Sequence, residues 1–155
     1  MPNLLMDPGA RSDLMRRIRS TNTAPETIVF REMRRRGIYF QRHYSRVVGS
    51  PDLARPRKKL AVFIDGDFWH GREIERVIAR YGKESGWSRK LLRNMARDRE
   101  VDATLVGLGW SVLRVWESDI RRKSTRDEVL DEIEAFLCAR LRPKSSDAQT
   151  PHETD

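Results

Sequence analysis

Hydrophobic side chains occupy every position of residues 60–64 (LAVFI), the most strand-like stretch of the chain. Basic, turn-prone residues precede this run, and Asp65, Gly66 and Asp67 follow it. A short apolar run with such boundaries is typical of a strand that is buried on both faces and is therefore rigid. We expect the fold to be built around the stretch 51–70, because it places acidic side chains at fixed strand ends.

The remaining pattern predicts the other elements. Apolar positions at helical spacing predict helices at residues 11–19, 23–37, 87–108 and 126–141, while residues 71–82 are ambiguous and can hold a short helix at 73–80. Apolar and aromatic runs predict strands at residues 38–44, 51–54, 60–65 and 110–116. This order predicts an α/β protein with a small mixed sheet flanked by helices, which is compatible with a restriction-endonuclease-like core.

Three segments are expected along the chain. Residues 1–22 form a basic N-terminal arm, whose short helix either stays mobile until it finds DNA or docks on the core. Residues 23–141 form one folded domain, within a chain long enough to bury a core without metals or disulfides. Residues 142–155 are polar, contain proline and lack periodicity, so we expect them to be disordered.

The composition narrows the class of partner. Lys and Arg number 31 against 23 Asp and Glu, which gives a formal net charge of +8. A basic protein of this size attracts polyanions, nucleic acid first. The alternative explanation of the charge is that it lies on solvated helix faces and binds nothing. The single cysteine, Cys138, excludes an internal disulfide and a multi-cysteine zinc site. No segment resembles a signal peptide or a membrane span, so a cytoplasmic protein is expected.

Acidic residues at the ends of adjacent predicted strands indicate metal chemistry. Asp52 lies at the start of one strand and Asp65 at the end of the next, and Mg²⁺ prefers carboxylate, water and phosphate oxygens as ligands. The spacing resembles the PD-(D/E)xK nuclease pattern, except that Asp67 replaces the terminal lysine. By itself the pattern is weak, since acids often end strands for solubility.

Three further residues have an ordinary explanation beside a catalytic one. His70 suits acid–base chemistry near neutral pH, but a single histidine beside a tryptophan is more often structural. Glu26 stands three residues after Thr23, so it is expected to complete a capping box at the start of a helix. Asp98 falls with Asp102 on the apolar stripe of the longest predicted helix, where it needs either a catalytic purpose or an arginine as ion-pair partner.

Longer motifs are more specific than these single residues. The sequence GDFWHG follows Pro51, Asp52 and the apolar strand, and it precedes WSRKLLRNMARDR and LGWSVLRVWES. Together with the opening RSDLMRRIRSTNTAPE, these motifs closely resemble the very short patch repair (Vsr) mismatch endonucleases, in that family's order and spacing. The resemblance covers roughly residues 11–122.

The resemblance implies a set of catalytic residues. Asp52 matches the family's metal-binding aspartate. Ile64 matches a second metal contact that is a threonine in the best-known members, so only its backbone carbonyl is available here. Asp65 replaces a catalytic histidine and is either a metal ligand, beside Asp52, or a base. The other implied catalytic residues are His70, the histidine of the FWH motif, and Glu26 and Asp98, which match acids that hold metal-bound water or orient the site.

The resemblance also implies how DNA is held. The family wedges side chains into the duplex beside a T·G mismatch; Phe68 and Trp69 match its aromatic wedge, and Met15 matches the wedge from the N-terminal helix. Core packing is the alternative role for the two aromatic rings. Further DNA contacts are expected from Trp87, Lys90, Arg16 and Arg17.

One departure from the family concerns zinc. Many members hold a structural zinc ion with cysteines and histidines around the FWH motif and after the final Trp-Glu. At those places this chain has Asp67, no cysteine in the residues that follow Gly71 directly, and Ser118. No structural zinc is therefore expected. Hydrogen bonds and ion pairs of Asp67 and of the region of Arg72 and Glu73 would have to stabilise this lobe instead.

The expected function is that of a Mg²⁺-dependent endonuclease that nicks one DNA strand at T·G mismatches, which arise when 5-methylcytosine deaminates. The alternatives are a restriction-type or general DNA-nicking enzyme on the same fold, and a catalytically inactive DNA-binding module. The expected partner is double-stranded DNA with a T·G mismatch, with mismatch-repair and repair-synthesis proteins as further candidates. The protein is expected to act as a monomer at the nucleoid, without membrane contact.

Overall fold

The computed structural model describes residues 23–139. Its helices are α1 (Ala24–Arg35), α2 (Ile74–Tyr81), α3 (Gly86–Gly107), α4 (Glu117–Arg121) and α5 (Lys123–Leu137), with a 3₁₀ turn at Pro56–Lys58. Its strands are β1 (Gln41–Arg42), β2 (Leu53–Arg55), β3 (Leu60–Asp65) and β4 (Ser111–Trp116). None of the described helices is long and apolar enough to cross a membrane. The expected N-terminal arm, with Met15, Arg16 and Arg17, and residues 142–155 lie outside the described residues.

The four strands form one mixed sheet in the order β1-β2-β3-β4. β2 is antiparallel to β1 and β3, whereas β3 and β4 are parallel and are joined through α2 and α3. The predicted small mixed sheet with flanking helices is therefore confirmed. Because β2 runs opposite to β3 and β4, its start lies at the sheet edge where those two strands end. That edge receives Asp52, Asp65 and Glu117.

The central strand β3 is buried at all six positions and lies between two hydrophobic clusters. Its side chains alternate between the two faces, as those of a strand do. Val62 and Ile64 pack with side chains of α1 and α5, whereas Ala61 and Phe63 pack with Leu105 of α3. Burial of one large aliphatic side chain stabilises a fold by about 1.5–3 kcal/mol. The strand that ends in an acidic residue is thus fixed from both faces.

The predicted capping box begins α1. Thr23 Oγ1 accepts a hydrogen bond from the Glu26 N–H at 3.5 Å, and Glu26 Oε2 accepts one from the Thr23 N–H at 3.3 Å. Pro25 lies in the first turn, and Gly37, with φ of 74°, follows the end of the helix in the left-handed conformation that glycine adopts readily.

Several element boundaries differ from the sequence prediction. The strand expected at 38–44 is reduced to two residues because His43 has φ of 47°, which takes the backbone out of the extended conformation. The last helix begins at Lys123 and ends at Leu137, and β2 begins at Leu53 rather than at residue 51. The short helix Glu117–Arg121 was not predicted, since five residues are too few to show a helical period.

Candidate active site

A cleft of about 740 Å³ opens at the sheet edge where β2 begins and β3 and β4 end. It is lined mainly by polar side chains from α1, α3 and the loops around the sheet. The lining residues are Thr23, Glu26, His43, Ser45, Ser50, Asp52, Ile64, Gly66, Trp69, His70, Asn94, Arg97, Asp98 and Glu117. Most of the catalytic residues implied by the family resemblance therefore meet in one cavity.

Two carboxylates and an imidazole form the Asp52 cluster, defined as Glu26, His43 and Asp52. His43 Nε2 lies 3.6 Å from Glu26 Oε2, and His43 Nδ1 lies 3.8 Å from Asp52 Oδ1. The backbone N–H of Ile64 donates to Asp52 Oδ2 at 2.7 Å, which fixes the carboxylate against the central strand. Burial raises the pKa of the Asp52 carboxyl to about 8, the Ile64 N–H opposes this rise, and the nearby Glu26 charge adds to it.

A second group, the Asp65 cluster, consists of Asp65, His70 and Asp98. Asp98 Oδ2 lies 2.5 Å from His70 Nδ1, and Asp65 Oδ1 lies 3.6 Å from the same nitrogen. Arg114 Nη1 donates to both oxygens of Asp65, at 2.9 and 3.1 Å. Burial raises the pKa of the Asp65 carboxyl, while the charges of His70 and Arg114 act to lower it.

Arg114 connects the Asp65 cluster to the long helix α3. Its Nε and Nη2 donate to Asp102 at distances of 2.8–3.0 Å, and its Nη1 lies 3.8 Å from Asp98 Oδ1. Its guanidinium carbon lies 4.2 Å from the centroid of the Phe63 ring. Both acids on the apolar stripe of α3 thus have partners: Asp102 is bound by an arginine, and Asp98 is bound by His70.

The Asp52 cluster offers two carboxylates, the kind of ligand that a hard divalent cation prefers. One ligand atom from each of its three residues lies within 4.8 Å of the others, and the same is true of the Asp65 cluster. The described part of the chain places no Lys or Arg in an ion pair with Asp52, whereas Arg114 neutralises Asp65. Burial, and to a smaller extent the Glu26 charge, raises the Asp52 pKa, and a cation bound at the cluster would stabilise the ionised carboxylate. The residues therefore fit a divalent metal ion.

A tight turn after β3 positions His70 and the aromatic side chains before it. The His70 N–H donates to the Gly66 carbonyl at 3.1 Å, and the Arg72 N–H donates to the Asp67 carbonyl at 3.0 Å. Gly71 has φ of 76°, and a Cβ at this position would lie 2.3 Å from Met95 Sδ. Glycine is thus required for this turn to pack against α3.

Phe68, Trp69 and Trp87 pack against one another beside the cleft. Their ring centroids are 5.1–6.0 Å apart, and all three side chains are partly exposed. Lys90 Nζ lies 4.8 Å from the centroid of the Trp69 ring. The buried indole nitrogen of Trp69 has no hydrogen-bond partner among the described residues. These rings are therefore neither fully buried in the core nor free in solvent.

The positions at which family members have zinc ligands are joined here by polar contacts. Ser118 Oγ donates to Asp67 Oδ2 at 2.5 Å, and the Ser118 N–H donates to Asp67 Oδ1 at 3.1 Å. Arg72 Nη1 donates to Ser118 Oγ at 2.9 Å and lies 3.1 Å from Asp119 Oδ2. The expected hydrogen bonds and ion pairs of Asp67 and Arg72 are present.

Sequence reasoning missed several residues of this site, among them His43, Glu117 and Arg114. His43 and Glu117 line the cleft, and burial raises the pKa of the Glu117 carboxyl. Arg114 interrupts the apolar run of β4, and a buried arginine requires an acidic partner, so this position carried a signal. His43 carried none, because it reaches the site through a left-handed backbone conformation that its neighbours in sequence do not predict.

Comparisons with known proteins agree with this geometry. The family model described as DNA mismatch endonuclease Vsr matches residues 5–76. A type II nicking enzyme of Neisseria meningitidis serogroup C is 35% identical over 77% of this chain and 82% of its own length. A type II nicking enzyme of Xanthomonas oryzae pv. oryzae is 34% identical over 74% of this chain and 85% of its own length.

The DNA mismatch endonuclease Vsr of Escherichia coli strain K12 is 30% identical over 94% of this chain and 95% of its own length. Similarity of this extent spans the sheet, the cleft and both acidic clusters. The fold around them is the restriction-endonuclease-like core that the family has. The chain therefore belongs to the DNA mismatch endonuclease Vsr family and is a hydrolytic, strand-nicking DNA endonuclease.

Proposed function

We propose that this protein is a Mg²⁺-dependent endonuclease that nicks one strand of double-stranded DNA at T·G mismatches left by deamination of 5-methylcytosine. The observation that supports it best is that one cleft is lined by Asp52, a largely buried carboxyl that forms no ion pair with a Lys or Arg of residues 23–139, and by the His70–Asp98 pair. The relatives, a mismatch endonuclease and nicking enzymes, also support it. The proposed setting is the cytoplasm, with a monomer acting on nucleoid DNA.

Asp52 and the backbone carbonyl of Ile64 are the proposed metal ligands, with Glu26 and His43 beside them. A bound Mg²⁺ would supply charge neutralisation at the phosphodiester and would lower the pKa of the attacking water. Asp65 is proposed not to be a ligand, because both of its oxygens accept hydrogen bonds from Arg114. It instead places a negative charge near His70.

His70 is the proposed general acid and base. Its Nδ1 lies 2.5 Å from Asp98 Oδ2, so we assign the Nδ1–H as a donor to that carboxylate. The other ring nitrogen, Nε2, is then the atom that exchanges a proton with the substrate. Asp98 is a positioning residue, since it fixes the ring and stabilises the imidazolium form. A His–carboxylate pair of this kind sets the tautomer as well as the orientation of the ring.

Phe68, Trp69 and Trp87 are the proposed aromatic contacts with the mismatched step, with Lys90 contributing positive charge. Their partial exposure beside the cleft supports this role, and so does the unpartnered Trp69 nitrogen, since a buried unpaired donor costs about 1–3 kcal/mol. Met15, Arg16 and Arg17, outside the described residues, are proposed to add a second wedge and phosphate contacts. Mismatch-repair and repair-synthesis proteins remain candidate partners.

A nicking assay on labelled duplexes tests this proposal. Matched T·A and mismatched T·G substrates of the same sequence are incubated with and without Mg²⁺, in several sequence contexts. The expected result is a single-strand cut at T·G that a chelator abolishes. Equal cutting of matched DNA would indicate a restriction-type or general nicking enzyme, and binding without cutting would indicate an inactive DNA-binding module.

A further inference from the structure

A second cavity, of about 330 Å³, lies between α1 and β1. The arginine pocket, as we call it, is lined by Thr27, Phe30, Arg31, Arg34 and Arg42. It shares no lining residue with the cleft, and all of its charged lining residues are positive.

The arginines of α1 fall into two groups. Arg35 and Arg36 are bound to Glu32, at 2.6 and 3.0 Å, and Arg36 also reaches acids of α5. By contrast, the arginines of the pocket form no ion pair with an acid anywhere in residues 23–139. Guanidinium groups that share one cavity repel one another, and a bound anion would offset that repulsion.

Aromatic rings hold two of the pocket's guanidinium groups in place. Phe30 and Phe40 are stacked, with centroids 5.7 Å apart. The guanidinium carbon of Arg42 lies 5.6 Å from the Phe30 centroid, and that of Arg34 lies 5.9 Å from the Phe40 centroid. Cation–π contacts of this kind restrict the guanidinium planes. The fork of N–H donors on an arginine matches the two non-bridging oxygens of a phosphodiester.

The pocket adjoins the Asp52 cluster. Thr27 follows Glu26 on α1, and Arg42 precedes His43 in the chain. The Phe30 ring meets the His43 ring edge to face, with centroids 5.6 Å apart. Along α1, the distance from the cleft residue at position 26 to position 34 is roughly 12 Å at 1.5 Å per residue. A DNA backbone that crosses the cleft would reach the pocket within a few nucleotides.

We propose that the arginine pocket binds a backbone phosphate of double-stranded DNA, next to the nucleotides held in the cleft. This inference rests on the proposed function, because it requires the cleft to act on DNA. It assigns part of the DNA-binding charge to three particular side chains. The pocket recognises a phosphodiester and no base, so its contribution to affinity is independent of the mismatch.

Salt-dependent binding tests the assignment. The full-length variants Arg34→Gln and Arg42→Gln, which lie on different elements, are compared with Arg35→Gln, which removes the same charge from an adjacent position that is bound to Glu32. Binding of a fluorescent matched duplex is measured in chelator from about 50 to 200 mM salt. The slope of log affinity against log salt is negative, and each pocket variant should make it shallower by about 0.9 and weaken binding about tenfold. The double variant should make the slope no shallower than either single variant does.

The outcomes separate this inference from the proposed function. Pocket variants with the same slope as Arg35→Gln would overturn the inference alone, provided that their melting temperatures match wild type. A wild-type protein that binds no duplex would overturn the proposed function as well. Inorganic phosphate is titrated as a second probe: if it raises the melting temperature of wild type but not of Arg34→Gln, while the DNA slopes stay equal, then the pocket takes free phosphate and the DNA assignment is wrong.

Discussion

The Asp52 cluster and the Asp65 cluster contain the same kinds of side chain, two acids and a histidine, and both contribute residues to the lining of the same cleft. They differ in one respect: Arg114 binds both oxygens of Asp65, whereas Asp52 pairs with no Lys or Arg in the described part of the chain. We infer from this difference that the position of a partly buried arginine, more than the number of carboxylates, decides which of two such clusters is suited to bind a metal ion.

The largest expected effect is on catalysis at the Asp52 cluster. Asp52→Asn removes the proposed metal ligand without a change of shape, and should lower the nicking rate by about 10²-fold or more, since a metal ion supplies several kcal/mol of transition-state stabilisation. The rate is measured on a T·G duplex at saturating enzyme. Affinity for the same duplex in chelator serves as control and should not fall, because phosphate contacts come from arginine and lysine. Near-normal nicking would exclude Asp52 as the metal ligand.

The next largest effect is on the stability of the Asp65 cluster, to which Arg114 is bound. Arg114→Met leaves the buried Asp65 and the partly exposed Asp102 without their partner, so it should lower the free energy of unfolding by about 3 kcal/mol, chiefly through Asp65. The matched control is Arg89→Met, which breaks an ion pair with Glu84 whose side chains are 63% and 81% exposed, and should cost less than about 1 kcal/mol. Urea unfolding measures both. Equal losses would mean that Arg114 is an ordinary surface charge.

The Asp52 cluster should also make the stability of the fold depend on pH. The Asp52 pKa is raised from an ordinary value of 3.8 to about 8, so between these values the folded protein binds more protons than the unfolded chain. The stability of metal-free wild type should therefore fall as pH rises from 3.8 to about 8 and level off above that range. Relative to wild type, Asp52→Asn should become more stable across this window. Chemical denaturation at a series of pH values measures the difference, which would stay constant if Asp52 titrated normally.

Added Mg²⁺ should stabilise the protein in a way that depends on the same raised pKa of Asp52. Metal binding requires the ionised carboxylate, so Mg²⁺ should raise the melting temperature of wild type more at pH 9 than at pH 6. The variant Asp52→Asn should show a much smaller increase at either pH. An increase that does not depend on pH would place the metal elsewhere.

The smallest effects are expected at the aromatic group beside the clusters. Phe68→Ala and Trp69→Ala should reduce the preference for T·G over T·A duplexes several-fold, because the wedge acts on base stacking. The salt slope of binding should hardly move, since neither ring is charged. Melting temperature is recorded for each variant. A large loss of stability, of several kcal/mol, with an unchanged mismatch ratio would mean that the rings are core packing.

Much of the fold could be predicted from local sequence pattern. The uniform apolar run at residues 60–64 gave the central strand, and Thr23 with Glu26 gave the start of α1, because these signals involve residues close in sequence. The strand at 38–44 was predicted too long, since the left-handed backbone of His43 is fixed by its surroundings rather than by its own propensity. The helix Glu117–Arg121 is too short to show helical periodicity in the sequence.

The acidic residues of the site could be predicted from the sequence, but most of the side chains that pair with them could not. Asp52 and Asp65 stood out because they lie at the ends of predicted strands, and Glu26 contacts both the helix cap and His43. The pairing of Asp65 with Arg114 joins residues 49 positions apart and depends on the parallel register of β3 and β4. No local pattern contains that information, so the choice between ligand and base for Asp65 could not be made from sequence.

Direct measurement of metal binding tests the distinction between the clusters most sharply. Mn²⁺ is titrated into wild type, Asp52→Asn and Asp65→Asn, and the free ion is followed by electron paramagnetic resonance, with melting temperatures to confirm that each variant is folded. Asp52→Asn should lose at least about tenfold in Mn²⁺ affinity, and Asp65→Asn should bind as wild type does. Loss of binding in Asp65→Asn with retention in Asp52→Asn would contradict the account.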